Sequence, residues 1–250
     1  MRILISNDDG VHAPGLLALV DELSKVAELD VLVPDRNKSG ASSSLTLGYP
    51  LRPQILRNGF ICLDGTPTDC VHLALSGYLQ HKPDLIVSGI NSGPNLGEDT
   101  IYSGTVAAAI EAYFFGIPSI AMSLDCHGDG HFDTAAKVAR QLVERFSKNA
   151  LNPTSLLNVN VPNVPFAKLQ GIEVVRLGRR HTANNVVHGK DGRGQLIYWT
   201  GPATDGKDAG VGTDFYALEH NKVAITPLQL DLTNYAAFDD ISKWGEDLIR

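Results

Sequence analysis

The stretch Arg2-Ile3-Leu4-Ile5-Ser6-Asn7-Asp8-Asp9-Gly10-Val11-His12-Ala13-Pro14-Gly15 decides the fold. The apolar run Ile3-Leu4-Ile5 ends at Ser6 and reads as a buried strand. Pro14 and Gly15 open a helix whose apolar residues, Leu16, Leu19, Val20, Leu23 and Val26, recur at helical spacing. Between the two lies a turn with adjacent carboxylates at Asp8 and Asp9. Adjacent carboxylates repel and resist ionising together unless positive charge sits between them, and a divalent cation is the usual partner. Asp and Asn also favour such turns on propensity alone, so a solvated turn with a helix cap explains the pair equally well in isolation. Its place at the end of a strand favours the metal, because open α/β sheets bind ligands beyond the carboxyl ends of their strands.

The alternation continues outward. Leu29–Val33 reads as a strand stopped by Pro34, and Phe60–Leu63 as a third. Thr66 is a good N-cap with Pro67 at the first helical position. Leu85–Ser88 is a fourth strand, Thr105–Phe115 a helix ended by Gly116, and Ser119–Leu124 a fifth strand. Phe132–Ser147 is a long amphipathic helix, followed by a strand over Leu156–Val161. This pattern predicts an α/β, Rossmann-like, mostly parallel sheet with helices on both faces. The last third differs. Ile172–Leu177 and Val223–Thr226 read as strands. Asn184–Val187 and Leu196–Thr200 flank the Gly-rich 189–194 and signal a hairpin. Residues 201–212 read as a loop, and Asp239–Ile249 as a terminal helix carrying Trp244 and Leu248. The expected division is a catalytic core over 1–170 and a smaller C-terminal part over 171–250, with a protruding β-hairpin and the terminal helix.

Composition narrows the function classes. With 43% hydrophobic and 20% charged residues, the chain is ordinary for a globular protein, and its 250 residues suffice for a sizeable core. A net charge of −7 argues against a nucleic-acid or anionic-membrane binder, so an anionic substrate needs a local positive element. No apolar run reaches the length of a membrane span, and polar residues from Ser6 onward leave no signal-peptide core. Cys62, Cys70 and Cys126 are odd in number and widely spaced, which reads as free thiols in a reducing, cytoplasmic compartment.

The loops after the strands carry the chemistry. They are Asn7-Asp8-Asp9-Gly10, then Pro34-Asp35-Arg36-Asn37-Lys38-Ser39-Gly40, then Gly89-Ile90-Asn91-Ser92-Gly93-Pro94-Asn95, then Asp125-Cys126-His127-Gly128-Asp129. In a parallel sheet all four lie on one edge. A site there would hold Asp8, Asp9, a hydroxyl near Ser39 and a carboxamide near Asn91. These hard oxygen donors suit Mg²⁺, Mn²⁺ or Ca²⁺ far better than zinc or copper. A second anchor is Tyr102-Ser103-Gly104-Thr105, just before the helical Val106-Ala107-Ala108-Ala109. It would leave backbone N–H groups and two hydroxyls free for an anion. N-capping by Ser103 or Thr105 explains the helix start, but not the glycine, which lets a ligand approach the backbone. An anion site beside a carboxylate metal site points to a phosphate ester.

Other motifs carry less. Gly201–Asp208 nearly spells a Walker A loop but ends in Asp where Ser or Thr should hold Mg²⁺. No G-x-G-x-x-G follows the first strand, and no G-x-S-x-G elbow exists. Glycines at 128 and 130 oppose a helical zinc site at Cys126, His127 and His131. His12 suits a rim or capping role as well as a catalytic one. Arg36 and Lys38 could add positive charge to the site but read first as solvated, and Arg179-Arg180-His181 reads as a solvated face with substrate contact as the lesser alternative.

Long strings of the chain are similar to the SurE family of stationary-phase survival proteins. They are Ile3–Gly10, Pro34–Ala41, Gly65–Val71, Ser88–Asn91, Gly93–Gly97 and Tyr102–Val106. The resemblance implies a metal-dependent nucleoside monophosphate phosphatase, with one Mg²⁺ or Mn²⁺ per subunit held by Asp8, Asp9, Ser39 and Asn91. It also implies 5′- and 3′-nucleotidase activity, short-chain polyphosphate as a further substrate, and homodimers or homotetramers. In such assemblies C-terminal segments exchange and the hairpin, here 184–199, joins subunits. In the expected reaction a metal-activated water attacks phosphorus, Ser103, Gly104 and Thr105 cradle the phosphate, and Asn95 bonds another of its oxygens. Direct attack by Asp8 or Asp9 is the alternative.

Overall fold

A computed structural model describes residues 1–180, 186–199, 206–246 and 248. In chain order its elements are β1 (Arg2–Ser6), α1 (Pro14–Leu23), β2 (Glu28–Pro34), β3 (Gln54–Ile55), β4 (Ile61–Leu63), α2 (Pro67–Leu73), β5 (Leu85–Ser92), α3 (Asp99–Tyr102) and α4 (Gly104–Phe114). Then follow β6 (Ser119–Asp125), α5 (Phe132–Lys148), β7 (Leu156–Pro162), β8 (Ile172–Val174), β9 (Arg179–Arg180), β10 (Val187–Lys190), β11 (Leu196–Trp199), β12 (Gly206–Asp208), α6 (Asp214–Glu219), β13 (Val223–Pro227) and α7 (Phe238–Gly245).

Nine strands form one sheet in the order β3-β4-β2-β1-β5-β6-β7-β13-β8. The pairs from β4 through β2, β1, β5 and β6 to β7 are parallel, whereas β13 runs antiparallel to β7. Alternation of side chains along β1 sets the two layers. Ile3 and Ile5 share one buried cluster with Leu16 and Leu19 of α1 and Ala135, Ala139 and Val143 of α5. Leu4 faces the opposite cluster, built from Val71 of α2 and Ala108 and Ala112 of α4. The fold is therefore the α/β, mostly parallel sheet with helices on both faces that the periodicity predicts. From β1 the chain moves outward to β2 and β4, then returns to place β5 on the other side of β1. The strand order reverses between β1 and β5, and a crevice opens at their carboxyl ends.

Local chemistry sets the helix starts. At α2, Thr66 accepts from the Asp69 N–H while Asp69 accepts from the Thr66 N–H, a reciprocal capping box. At α4, Ser103 Oγ accepts from the Val106 N–H.

The structure differs from the sequence reading where contacts are non-local. β5 runs four residues past Ser88, because its pairing with β6 shifts register between Ser88 and Asn91 and the chain bulges through Gly89, at φ +134°. Strands β8 and β13, at 172–174 and 223–227, extend the main sheet, which therefore crosses residue 170. The strand expected over 172–177 stops at Val174. The stretch 201–212, expected to be all loop, contains β12 paired with β9. The single turn α3 and the six-residue α6 carry no long apolar period. The hairpin pairs Val187 with Trp199 and Lys190 with Leu196. Its expected residues 184, 185 and 200 lie outside the described residues, as do 247 and 249 of the expected terminal helix, which ends at Gly245. No helix among the described residues is long and apolar enough to cross a membrane.

Candidate functional site

A cleft of about 630 Å³ lies over the switch point, and Asp8, Ser39, Asn91, Asn95 and Ser103 all line it. The strand-end loops thus converge as a parallel sheet requires. Asp8 is 3% exposed and leaves the end of β1 facing the N-terminus of α4. Thr105, fully buried, donates its hydroxyl to Asp8 Oδ1. Burial pushes the Asp8 carboxyl up to about 6, against the pull of the Thr105 hydroxyl and N–H, which favour the ionised form. The Asp8 carbonyl accepts from the Lys38 N–H at 2.7 Å, which joins the first loop to the loop carrying Ser39.

Asp9 behaves differently. Its Oδ2 accepts from the Ser92 N–H at 3.0 Å and its Oδ1 from Asn37 Nδ2 at 3.4 Å. It ties three strand-end loops together and is not among the cleft-lining residues. Burial raises its carboxyl above the usual range, opposed by the Ser92 N–H. Ser39 is exposed, and Asn37 Oδ1 fixes its backbone N–H at 2.7 Å. Asn91, which lines the cleft, donates its side-chain amide to the Gly93 carbonyl at 2.8 Å, a bond that does not use its side-chain oxygen.

Along the opposite wall, Ser103 lines the cleft while its oxygen caps α4. Gly104 and Thr105 stand outside the lining, with the Thr105 hydroxyl engaged by Asp8. Asn95 is 6% exposed and donates its side-chain amide to Ser123 Oγ at 2.8 Å.

Residues beyond the expected ligand and phosphate set also reach the cleft. Arg180, which reads from sequence as solvated charge, is a wall of it. It bonds Asp99 at 2.5 Å and lies over the Phe215 ring at 5.0 Å. It arrives through the pairing of β9 with β12, and Phe215 through α6, so neither had a local signal. Asp125 and His127 form the rim, and burial raises the Asp125 carboxyl against the opposing pull of the neighbouring His127 and Arg180. His12, Arg36 and Lys38 are not among the lining residues, and Arg36 pairs with Asp35 at 3.6 Å. His181 and residues 201–205 lie outside the described residues. No cluster of three or more His, Cys, Asp or Glu side chains suited to a metal occurs among the described residues. Any cation in the cleft would therefore draw on hydroxyl and carboxamide oxygens as well as carboxylates.

A divalent cation held at Asp8 would need that carboxylate ionised, so protons would compete with it. With Mn²⁺ as a probe, the affinity of such a site would be level above about pH 7 and fall about tenfold per pH unit below about 6, where Asp8 holds its proton. Titration calorimetry over that range checks it, and an affinity independent of pH would contradict it.

Comparison with known proteins places the chain. A family model described as "Survival protein SurE" matches residues 3–184. A protein named 5′-nucleotidase SurE from Methylobacillus flagellatus is 53% identical over 98% of this chain and 99% of its own length. One of the same name from Nitrosococcus oceani is 54% identical over the whole of both chains. The crystal structure of the SurE protein from Aquifex aeolicus superposes with a TM-score of 0.87 at 40% identity, covering 98% of this chain and all of that one. With the family's sequence pattern across most of the chain and a solved member's fold matched end to end, this protein belongs to the SurE family.

Proposed function

We propose that the protein is a metal-dependent phosphomonoesterase that releases phosphate from nucleoside 5′- and 3′-monophosphates and from short-chain polyphosphate. The name 5′-nucleotidase carried by relatives above 50% identity supports the substrate class. The observation that carries the reading is the juxtaposition, in one cleft at the switch point, of Asp8, Ser39 and Asn91 with the capped N-terminus of α4.

One divalent cation, Mg²⁺ or Mn²⁺, would be held by Asp8, Asp9, Ser39 and Asn91. Asp8, Ser39 and Asn91 fit as hard oxygens lining one cleft, and Asp8 is too buried to stay ionised comfortably alone; Asp9 would reach the cation by turning an oxygen off Asn37. When bound, the cation supplies charge neutralisation at the phosphoryl oxygens and lowers the pKa of a water. Asp8 holds its carboxylate between that position and α4, steadied by Thr105. Asp9 fixes the Asn37 and Ser92 loops and so sets the distance between Ser39 and Asn91. Ser103 accepts from Val106 and keeps its own proton to donate to a phosphate oxygen. The first N–H groups of α4, at Gly104 and Thr105, add the helix's positive end. Asn95 donates to a further oxygen. We assign the attack to water, because the Asp8 carboxylate is engaged by Thr105 and the expected cation.

Incubation with AMP and Mg²⁺ or Mn²⁺ is expected to release inorganic phosphate, and chelation to stop it. Metal-independent release, or labelled phosphate trapped on the protein, would overturn the mechanism. Binding of AMP without turnover would mark a sensor instead.

Self-association as a homodimer or homotetramer belongs to the same proposal. Its support is apolar surface on the hairpin, at Leu196, Tyr198 and Trp199, and along the C-terminal arm, at Leu232, Phe238, Ile241 and Trp244. A solution mass of one chain would contradict it. A cytoplasmic location is proposed from the three unpaired cysteines, Cys62, Cys70 and Cys126.

A further inference from the structure

Strand β7 is buried on both faces, and such strands are normally runs of Val, Ile and Leu. It instead places two asparagines, Asn158 and Asn160, on one face, both fully buried. Both bond a single residue. Asn160 Oδ1 accepts from the Asn95 N–H at 2.8 Å, and the Asn95 carbonyl accepts from Asn158 Nδ2 at 2.8 Å and Asn160 Nδ2 at 3.1 Å. Ser123, the cross-strand partner of Asn160 on β6, is also fully buried and accepts from the Asn95 side-chain amide at 2.8 Å. Two residues further along the loop between β5 and α3, the Gly97 N–H donates to the fully buried Asp214 at 2.8 Å.

Tethering a loop explains the bonds to the backbone of Asn95. It does not explain Ser123, whose bond is to the side chain and sets its rotation. One amide hydrogen of Asn95 is directed onto Ser123, and the rest of the carboxamide is left toward the cleft that Asn95 lines. Among the described residues Asn158 Oδ1 has no hydrogen-bond partner although buried. Burying polar atoms at that disadvantage is costly for packing alone.

We propose that Ser123, Asn158 and Asn160 are positioning residues that lock the Asn95 carboxamide in one orientation toward the substrate phosphate. The proposal rests on the reading of Asn95 as a phosphate contact. A donor held in advance stabilises charge as it develops without reorganising, so loosening it should lower turnover more than substrate binding.

The test is a double-mutant cycle with AMP as substrate and Mn²⁺ as the metal. Ser123→Ala is expected to lower kcat about tenfold, the scale of one neutral hydrogen bond. KM and the Mn²⁺ dissociation constant should stay within about twofold of the parent protein. Asn95→Ala is expected to lose more, and adding Ser123→Ala to it should change nothing further. Asn158→Ala, which leaves the second donor to the Asn95 carbonyl in place, should repeat the pattern if Ser123→Ala misfolds. An unchanged kcat in Ser123→Ala beside an impaired Asn95→Ala overturns the positioning role alone, as does an equal loss in both backgrounds or a parallel loss of Mn²⁺ affinity. Full activity in Asn95→Ala, or no phosphate release by the unaltered protein, overturns the phosphate-contact reading and the positioning role with it.

Discussion

Asp8→Asn is expected to lower turnover of AMP by about 10³-fold and to abolish measurable Mn²⁺ binding, while making the metal-free protein more stable. The first effect follows from removing the one buried carboxylate among the described residues that line the cleft, since a bound cation is worth several kcal/mol at the transition state. The second follows from burial. The Asp8 carboxyl titrates near 6 in the folded protein against an ordinary value of 3.8. Between those values the folded chain binds more protons than the unfolded one, so stability falls as pH rises through that window, and the penalty is complete above about 6. The shift corresponds to about 3 kcal/mol. A neutral asparagine escapes it, and the pull of Thr105 on the carboxylate is already contained in that net shift. A gain of about 3 kcal/mol at pH 8 is therefore expected, measured by denaturant unfolding in chelator. Near-normal activity in limiting Mg²⁺ would end the ligand assignment, and a destabilised metal-free variant would contradict the account of burial.

Gly104→Ala is expected to reduce kcat/KM by about 10²-fold although alanine is the better helix former. Propensity alone would favour the substitution by about 1 kcal/mol. Contact decides otherwise. A β-carbon at 104 would lie 2.8 Å from Asp8 Cβ, 3.0 Å from Asp8 Oδ2 and 3.1 Å from Pro67 Cγ. Pro67 begins α2 and cannot yield cheaply, so Asp8 must move, and a misplacement of about 1 Å costs about 10²-fold. Helical content by circular dichroism should be unchanged while Mn²⁺ affinity falls together with kcat/KM. A variant with normal metal affinity would show that α4 does not set the position of Asp8. Beside the access for a ligand that the sequence suggests, the structure gives this glycine a second use, room for the Asp8 side chain.

That difference shows how far the sequence could be read. The apolar alternation in Ile3-Leu4-Ile5, the proline at the start of α1 and the cap at Thr66 are local signals, and each element stands where they point. Asp8, Ser39 and Asn91 could be grouped without a structure, because parallel strands bring their carboxyl-end loops to one edge whatever the details of packing. Ser103 and Asn95 reach the same cleft for that reason. The direction of the Thr105 hydroxyl was not legible. A Ser-Gly-Thr turn offers the same donors to a phosphate or to a neighbouring carboxylate, and only the approach of α4 to β1 selects Asp8.

The same distinction separates the rest of the site. Periodicity and turn chemistry in the sequence determined the sheet, its covering helices and the oxygen-rich loops at the strand ends, because those properties depend on residues a few positions apart. Tertiary structure alone decided that Arg180 and Phe215 wall the cleft, that Asp9 braces loops while Asp8 faces inward, and that Asn158 and Asn160 grip Asn95 across more than 60 positions of chain. Each of these depends on a long-range contact, and a hydrogen-bonding side chain does not encode in its own neighbourhood which distant group it will meet.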